Sequence, residues 1–542
     1  MKFKKLTVAA FVILMLTNIL GVGGYACTSV VVGKDASVDG SVMTTHTCDG
    51  WYDARLVIVP GQTFEAGAMV PINKNICNVT RPNKELVKVG EIPQIEKTYT
   101  YYHVGYPFMN ENQVMIGETT ISGRRDYRNG DAWMVIEQLQ VLGLQRAKTA
   151  RECVEIMGAL AEKYGYGDGG ECLTVTDPNE AWFFEILGPG PLWTPDSGKP
   201  GAVWVAQRIP DDEVGVSANR SRIGEINLSD TDHFIASSNV FSLGEEMGFY
   251  DPDSGKPFIF WEVYGPKTDF YNRRREWRVL SLAAPSLNLP MDQQRYPFTV
   301  KPDKKLSVQD LIAIKRDHYE GTELDLTKGL AAGPFGNPNR YPTPKDAKPE
   351  ERNGLRWERA ISMFRCSYSF VSQARSWLPD PIGGVLWFGE DSPQSTCYIP
   401  FYCQITEVPE SFSSGSRVVF DKDYAWWAFN FVSNWADLKY SYMIEDIKEV
   451  QEEIEGGFFA MQSAVEMAAV ELYKKDPALA VKFLTNYSND CANRAVDAWW
   501  ELADELVAKY DDGYVGASDQ VGYPTWWLEE VDFGGTQLSL LE

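Results

Sequence analysis

One residue sets up nucleophilic chemistry before any folding is considered, and it is Cys27. Ahead of it, Lys2, Lys4 and Lys5 make a positive start, Leu6 to Leu20 is an apolar stretch, and Gly24-Tyr25-Ala26 puts small residues three and one positions before the Cys. That is the pattern of a removable export signal. Cleavage after Ala26 makes Cys27 the mature N-terminus, so a thiol and a free α-amine share one residue. An amine with a pKa of about 7.7–8.0 is suited to take the proton from its own thiol. Three other readings stay open. A lipoprotein signal also ends at a Cys, although Gly24 stands where a Leu-like residue is wanted, and acylation would consume both thiol and amine. An uncleaved anchor falls short of the roughly 20 apolar residues that a span needs. An ordinary exported protein can also carry the Cys by accident.

Competing chemistries find little support. The four histidines, His46, His103, His233 and His318, form no HExxH pattern and no close-spaced Cys/His set. A metallohydrolase is therefore not expected, nor is any metal or other cofactor. No GxSxG elbow marks a serine hydrolase. The formal charge of −24 becomes −27 once residues 1–26 are removed, with 48 basic residues against 75 acidic. Such a chain repels phosphate backbones, which excludes nucleic acid as a partner. Aromatic residues reach 13%, with 17 Trp, enough for a large core or an aromatic-lined cleft. Setting Cys27 aside leaves eight cysteines, and Cys397 with Cys403 is the pair to test first for a disulfide.

The elements that must position Cys27 begin at once. Cys27 to Gly33 is rich in β-branched residues and reads as a strand; a polar turn with Asp39-Gly40 follows, then a second strand over Ser41–Thr47. The pair makes a hairpin with Cys27 at its open end. Two helices are expected over Trp133–Arg146 and from Thr149 to about Gly165, the second opened by a capping box with Glu152. Leu173–Thr176, Ala181–Ile186 and Ala202–Ala206 read as strands, Val308–Tyr319 as a helix capped by Ser307, and 329–355 as a long loop. The repeated Pro-Asp-Ser-Gly-Lys-Pro at 195 and 252 marks turns; Asp251 and Asp253 lack the later acidic ligand of a calcium loop. Beyond about residue 440 the pattern is helical, with Asp476-Pro477 as a helix start and Asp490–Tyr510 apolar at helical spacing.

The segment Cys27-Thr-Ser-Val-Val-Val-Gly-Lys-Asp-Ala-Ser-Val-Asp-Gly-Ser-Val-Met43 resembles the opening of the dipeptidase A family of cysteine peptidases. These belong to the N-terminal-nucleophile hydrolase superfamily, with penicillin V acylase and bile-salt hydrolase as relatives. Gly117-Glu-Thr-Thr120, Gly170-Glu-Cys-Leu-Thr-Val-Thr-Asp177, Val216-Ser-Ala-Asn219 and Arg275-Glu-Trp-Arg278 occur in the order that the resemblance implies. It implies an α+β fold, a four-layer αββα sandwich, here with an added C-terminal helical region. It implies Cys27 as nucleophile, Asn219 as donor to the oxyanion, and Arg275 as support for the charge state of the thiol. Relatives place an Arg three residues before an Asp just after the second strand, and here that set is His46-Thr47-Cys48-Asp49. Asp49 keeps the position suited to holding the Cys27 amine, whereas His46 replaces a permanent charge by one that titrates near pH 6.5.

The resulting expectation is an exported, periplasmic or extracellular cysteine hydrolase that cleaves dipeptides through an acyl-enzyme on Cys27, with Glu118 as anionic partner of the substrate amine. An amide acylase remains the alternative within hydrolases, and a non-catalytic surface lipoprotein or glycan-binding protein the alternative outside them. The expected organisation is a removed signal at 1–26, a catalytic domain over 27–440 and a helical region over 441–542. Short peptides are the expected partners, no stable membrane span remains after signal removal, and a homo-oligomer is compatible with the sequence.

Overall fold

Residues 27–533 are described in a computed structural model, apart from 79–83, 267–268, 342–345, 347, 349–356 and 517–518; the expected signal at 1–26 lies outside the described residues. The hairpin forms as its composition predicts. Strand β1 (Ser29–Val32) runs antiparallel to β2 (Val42–Asp49). In the turn, Asp39 Oδ1 accepts from Ser41 N at 3.1 Å and Ser41 Oγ at 2.6 Å, and Gly40 takes φ +87°, a conformation that suits glycine.

Four more strands adjoin this hairpin: β3 (Met115–Thr120), β4 (Glu171–Thr176), β5 (Val214–Ser217) and β6 (Cys366–Ala374). The first sheet has seven strands in the order Thr299–Val300, β5, β1, β2, β6, Val385–Glu390 and Ile399–Tyr402. The second has eight, ordered Phe234–Ala236, Val203–Arg208, Ala181–Leu187, β4, β3, Met109–Asn110, Tyr101–His103 and Val57–Val59. Neighbours within both sheets pair antiparallel. Every residue of β2 and β6 is buried, the polar ones included. On one side β1 and β2 meet β3 and β4 of the second sheet. Helices α1 (Ile136–Arg146) and α2 (Ala150–Tyr164) accompany the second sheet, with α2 on β4 and its neighbours. Helices α3 (Phe270–Ala283) and α4 (Val308–Lys315) pack on the first, α3 on β5 and α4 on β2 and β6.

Element ends differ from expectation where side chains intervene. Helix α1 starts at Ile136 rather than Trp133, because Met134 bridges to Tyr166 and Asp168 Oδ2 accepts from Ile136 N at 2.8 Å, acting as a cap from outside the helix. Helix α4 keeps its Ser307–Asp310 capping box but stops at Lys315, since Asp317 turns to Arg278 and Tyr319 takes φ +66°. The C-terminal helices are longer than predicted: α5 (Ala425–Ala436), α6 (Tyr440–Lys475) and α7 (Pro477–Lys509), the last capped by Asp476 Oδ1 on Ala478 N at 2.9 Å. They lie directly on the first sheet, α5 against Val385–Glu390 and α7 against Ile399–Tyr402. No helix among the described residues is long and apolar enough to cross a membrane. All nine cysteines are free, so Cys397 and Cys403 are not joined; Cys403 Sγ instead donates to the Asp380 carbonyl at 2.9 Å.

The two sheets come into tight contact at Gly117. A Cβ there would stand 2.6 Å from the Thr45 carbonyl oxygen and 2.5 Å from Thr174 Oγ1, distances that real side chains do not adopt. The contact is sealed by Thr44 Oγ1 and Thr174 Oγ1 at 2.6 Å and by Ser29 Oγ donating to the Glu118 carbonyl at 3.0 Å. Gly117→Ala should therefore lower the urea midpoint, with a loss of about 1–3 kcal/mol from overpacking. An unchanged midpoint would show that the sheets can separate at no cost.

Candidate active site

Cys27 precedes β1 at the open end of the hairpin, where β2 meets its partner through side chains: Thr28 N donates to Thr47 Oγ1 at 3.0 Å and Val30 N to Thr45 Oγ1 at 2.9 Å. The residue is 1% exposed. Its Sγ lies 3.4 Å from Glu118 Oε2, and burial, then the Glu118 charge, pushes the thiol well up. A thiol in that field stays protonated until a base is brought to it.

Arg275, on α3 and fully buried, ties Cys27 to its surroundings. Its Nη1 donates to the Cys27 carbonyl at 2.9 Å and to Thr28 Oγ1 at 2.8 Å; its Nη2 donates to Asn219 Oδ1 and Asn272 Oδ1, both at 2.8 Å; its Nε donates to the Tyr271 carbonyl at 3.1 Å. These acceptors are all neutral, and the carboxylate that acts on the guanidinium is Asp49, through space. Asn219 follows β5 in the left-handed region, φ +63°, which Asn tolerates better than most residues. A guanidinium can only donate, so the contact with Arg275 orients the Asn219 amide: Oδ1 faces Arg275, and Nδ2 donates one hydrogen to the Thr120 carbonyl at 2.8 Å. The second Nδ2 hydrogen remains for another acceptor.

Asp49 ends β2. Its Oδ2 accepts from Arg359 Nη2 at 2.6 Å, and its buried Oδ1 accepts from no donor among the described residues. Burial raises its carboxyl, while Arg359, Arg365 and Arg275 pull it down. His46 is different from an arginine in every respect that matters. Its ring packs near Tyr106, Tyr368 and Phe370, its Nδ1 lies 2.8 Å from the Glu118 carbonyl oxygen, and burial lowers its pKa to about 3. The imidazole is therefore neutral at neutral pH and brings no positive charge to Cys27. Cys27, His46 and Glu118 bring a sulfur, a ring nitrogen and a carboxylate oxygen within 4.8 Å of one another. All six residues singled out in the sequence thus meet in one region. A cavity of about 160 Å³ bordered by Leu192, Trp193, Leu243 and Met247 holds none of them.

A sequence profile of peptidase family C69 matches residues 26–453. The chain belongs to that family. Similar proteins include a probable dipeptidase of Latilactobacillus sakei, 26% identical over 89% of this chain and 95% of the relative. Others are a probable dipeptidase of Salmonella dublin, 27% identical over 71% and 83%, and a probable dipeptidase B of Streptococcus pyogenes serotype M1, 23% identical over 78% and 81%.

Three further residues of this C69 peptidase escaped the sequence reading. Lys315, the last residue of α4, is fully buried and donates to the Thr28 carbonyl; burial lowers its ammonium to about 7 against the pull of Asp49. Arg359 leaves a loop to pair with Asp49. Glu171, at the head of β4, is hydrogen-bonded to Glu118. Only Glu171 carried a signal, in the motif Gly170-Glu-Cys; the two cations sit in segments with no local pattern.

The neutral state of His46 has a stability consequence. The unfolded imidazole takes up a proton near pH 6.5 and the folded one near pH 3, so the unfolded state binds the extra proton between these values. Stability from this source is complete above pH 6.5 and is lost as pH falls towards 3. Replacing the ring by a non-titrating amide, His46→Gln, should make stability less sensitive to acid, by roughly 3 kcal/mol between pH 6.5 and 4. Urea titrations across that range check it, and parallel pH dependences for variant and parent would contradict a depressed His46.

Proposed function

We propose that this C69 peptidase is an exported dipeptidase whose signal, residues 1–26, is removed to free the amine of Cys27. The observation that carries the reading is Cys27 with its thiol beside the Glu118 carboxyl and its backbone carbonyl held by Arg275, which also holds Asn219. The two antiparallel sheets with helices on each support its finer architecture, the αββα sandwich of N-terminal-nucleophile hydrolases. The names of the relatives support the substrate class.

In this mechanism the freed amine takes the thiol proton and Sγ attacks the scissile carbonyl. The unused Nδ2 hydrogen of Asn219 is the donor for the oxyanion, a role worth roughly 3 kcal/mol at comparable sites. The ammonium of Cys27 then protonates the leaving amine, which departs as the C-terminal amino acid. Water, deprotonated by the same amine, hydrolyses the thioester and returns the thiol. The vacant Oδ1 of Asp49 suits a Cys27 ammonium, and Arg275 offsets the negative charge that develops on sulfur and oxygen. Glu118 would face the α-ammonium of the substrate; a carboxyl beside the nucleophile favours a cationic substrate over the acyl chains that amide acylases take.

One experiment compares three preparations: mature chain starting at Cys27, uncleaved chain, and mature Cys27→Ala. Only the first should hydrolyse dipeptides, because the uncleaved chain has an amide nitrogen with no lone pair to act as base and the variant has no nucleophile. Mass spectrometry of the mature N-terminus accompanies it. Turnover by the uncleaved chain at the mature rate, or a diacylglyceryl group on Cys27, would overturn the proposal.

A further inference from the structure

Glu171 stands outside the network of Arg275, yet it is aimed at the same place as the nucleophile. In the β3–β4 ladder Glu171 pairs with Thr120, and Glu118, two residues from Thr120, lies on the same face of β3. The two long side chains converge on the diagonal and are hydrogen-bonded to each other. Thr120 Oγ1 donates to Glu118 Oε1 at 3.3 Å, and Cys27 Sγ stands 3.4 Å from Glu118 Oε2. Glu171 is 6% exposed, and its Oε2 accepts from no donor among the described residues.

Two carboxyl groups in contact share a proton, because two adjacent carboxylates repel. Burial raises both, and the charge of Glu118 raises Glu171 further. Titratable groups around the pair include Cys27, Cys48, Tyr106, Asp168, Glu137, Tyr166 and the neutral His46, with Lys74 and Arg128 acting on Asp168. Asp168 and Glu137 thus add to the acids of the pair itself, and the region is short of positive charge.

We propose that Glu171 and Glu118 together form the subsite for the α-ammonium of the substrate, and that the ammonium displaces the proton the pair shares. The inference rests on the dipeptidase reading and adds to it a second carboxylate and a proton count. The ammonium arrives already protonated and offers three donors; the displaced proton leaves to solvent, and both carboxylates remain as its partners. Because the subsite adjoins the thiol, only the first peptide bond from a free N-terminus reaches Sγ. An N-acylated dipeptide brings no charge and leaves the pair protonated.

The test uses mature enzyme and compares a free dipeptide with its N-acetyl counterpart. Glu171 does not touch the thiol, so Glu171→Gln should raise KM for the free dipeptide about tenfold or more while kcat changes much less, and should narrow the preference over the N-acetyl form. Glu171→Asp, which retains the charge, should fall between. In a Cys27→Ala background, calorimetry in buffers of different ionisation enthalpy should find close to one proton released per dipeptide bound, and none when Glu171→Gln is added. Unchanged KM and preference, an equal fall in kcat alone, or no proton release would overturn the subsite. If the unmutated mature enzyme fails to cleave dipeptides, the dipeptidase reading fails instead.

Discussion

The tight contact of the two sheets at Gly117 is the constraint on which the site depends. With no Cβ in the way, the β3 backbone comes within hydrogen-bonding reach of β1 and β2, and the Glu118 carbonyl receives Ser29 Oγ and faces His46 Nδ1. That contact fixes the backbone of Glu118, and the side chain then has no choice but to lie beside Cys27. His46 is thereby a spacer between sheets: a neutral ring with one nitrogen on the opposing backbone and its faces among aromatics. A permanently charged side chain at that position would lie on the apolar neighbours that hold His46 neutral, at a considerable desolvation cost.

Buried cations hold the other half. Arg275 is completely enclosed and makes its hydrogen bonds to carbonyls, amides and a hydroxyl, which satisfies its donors while leaving its field in place. The turn that carries Asn219 is held by a second buried cluster: Arg220 and Arg222 both pair with Glu276, the residue after Arg275, and Glu185 accepts from Ser221 Oγ and from the backbone of Arg222 and Ile223. One turn of α3 therefore presents Arg275 to the nucleophile and Glu276 to the turn that supports Asn219. Neither side can shift without breaking charged contacts on the other.

Much of this was legible because it is local. The β1–β2 hairpin, the Thr149, Ser307 and Asp476 caps and the motifs around Glu118, Asn219 and Arg275 each announce themselves within a few residues. What escaped is what tertiary contact decides. The starts and stops of α1 and α4 were set by Asp168 and by the Arg278–Asp317 pair, contacts distant in sequence. Lys315 falls inside the expected helix Val308–Tyr319, and nothing local shows that its ammonium is buried under Thr28. His46 read as a titrating group near pH 6.5 because its enclosure by Tyr106, Tyr368 and Phe370 comes from three separate segments.

The central claim is that catalysis passes through a covalent acyl group on Cys27. Rapid-quench mass spectrometry of the mature chain mixed with a slowly turned-over dipeptide tests it most directly. The account predicts a transient mass increase equal to the N-terminal aminoacyl group, localised after digestion to the peptide beginning at Cys27 and gone when turnover is complete. Steady hydrolysis with no adduct on that peptide, or an adduct on another residue, would contradict it.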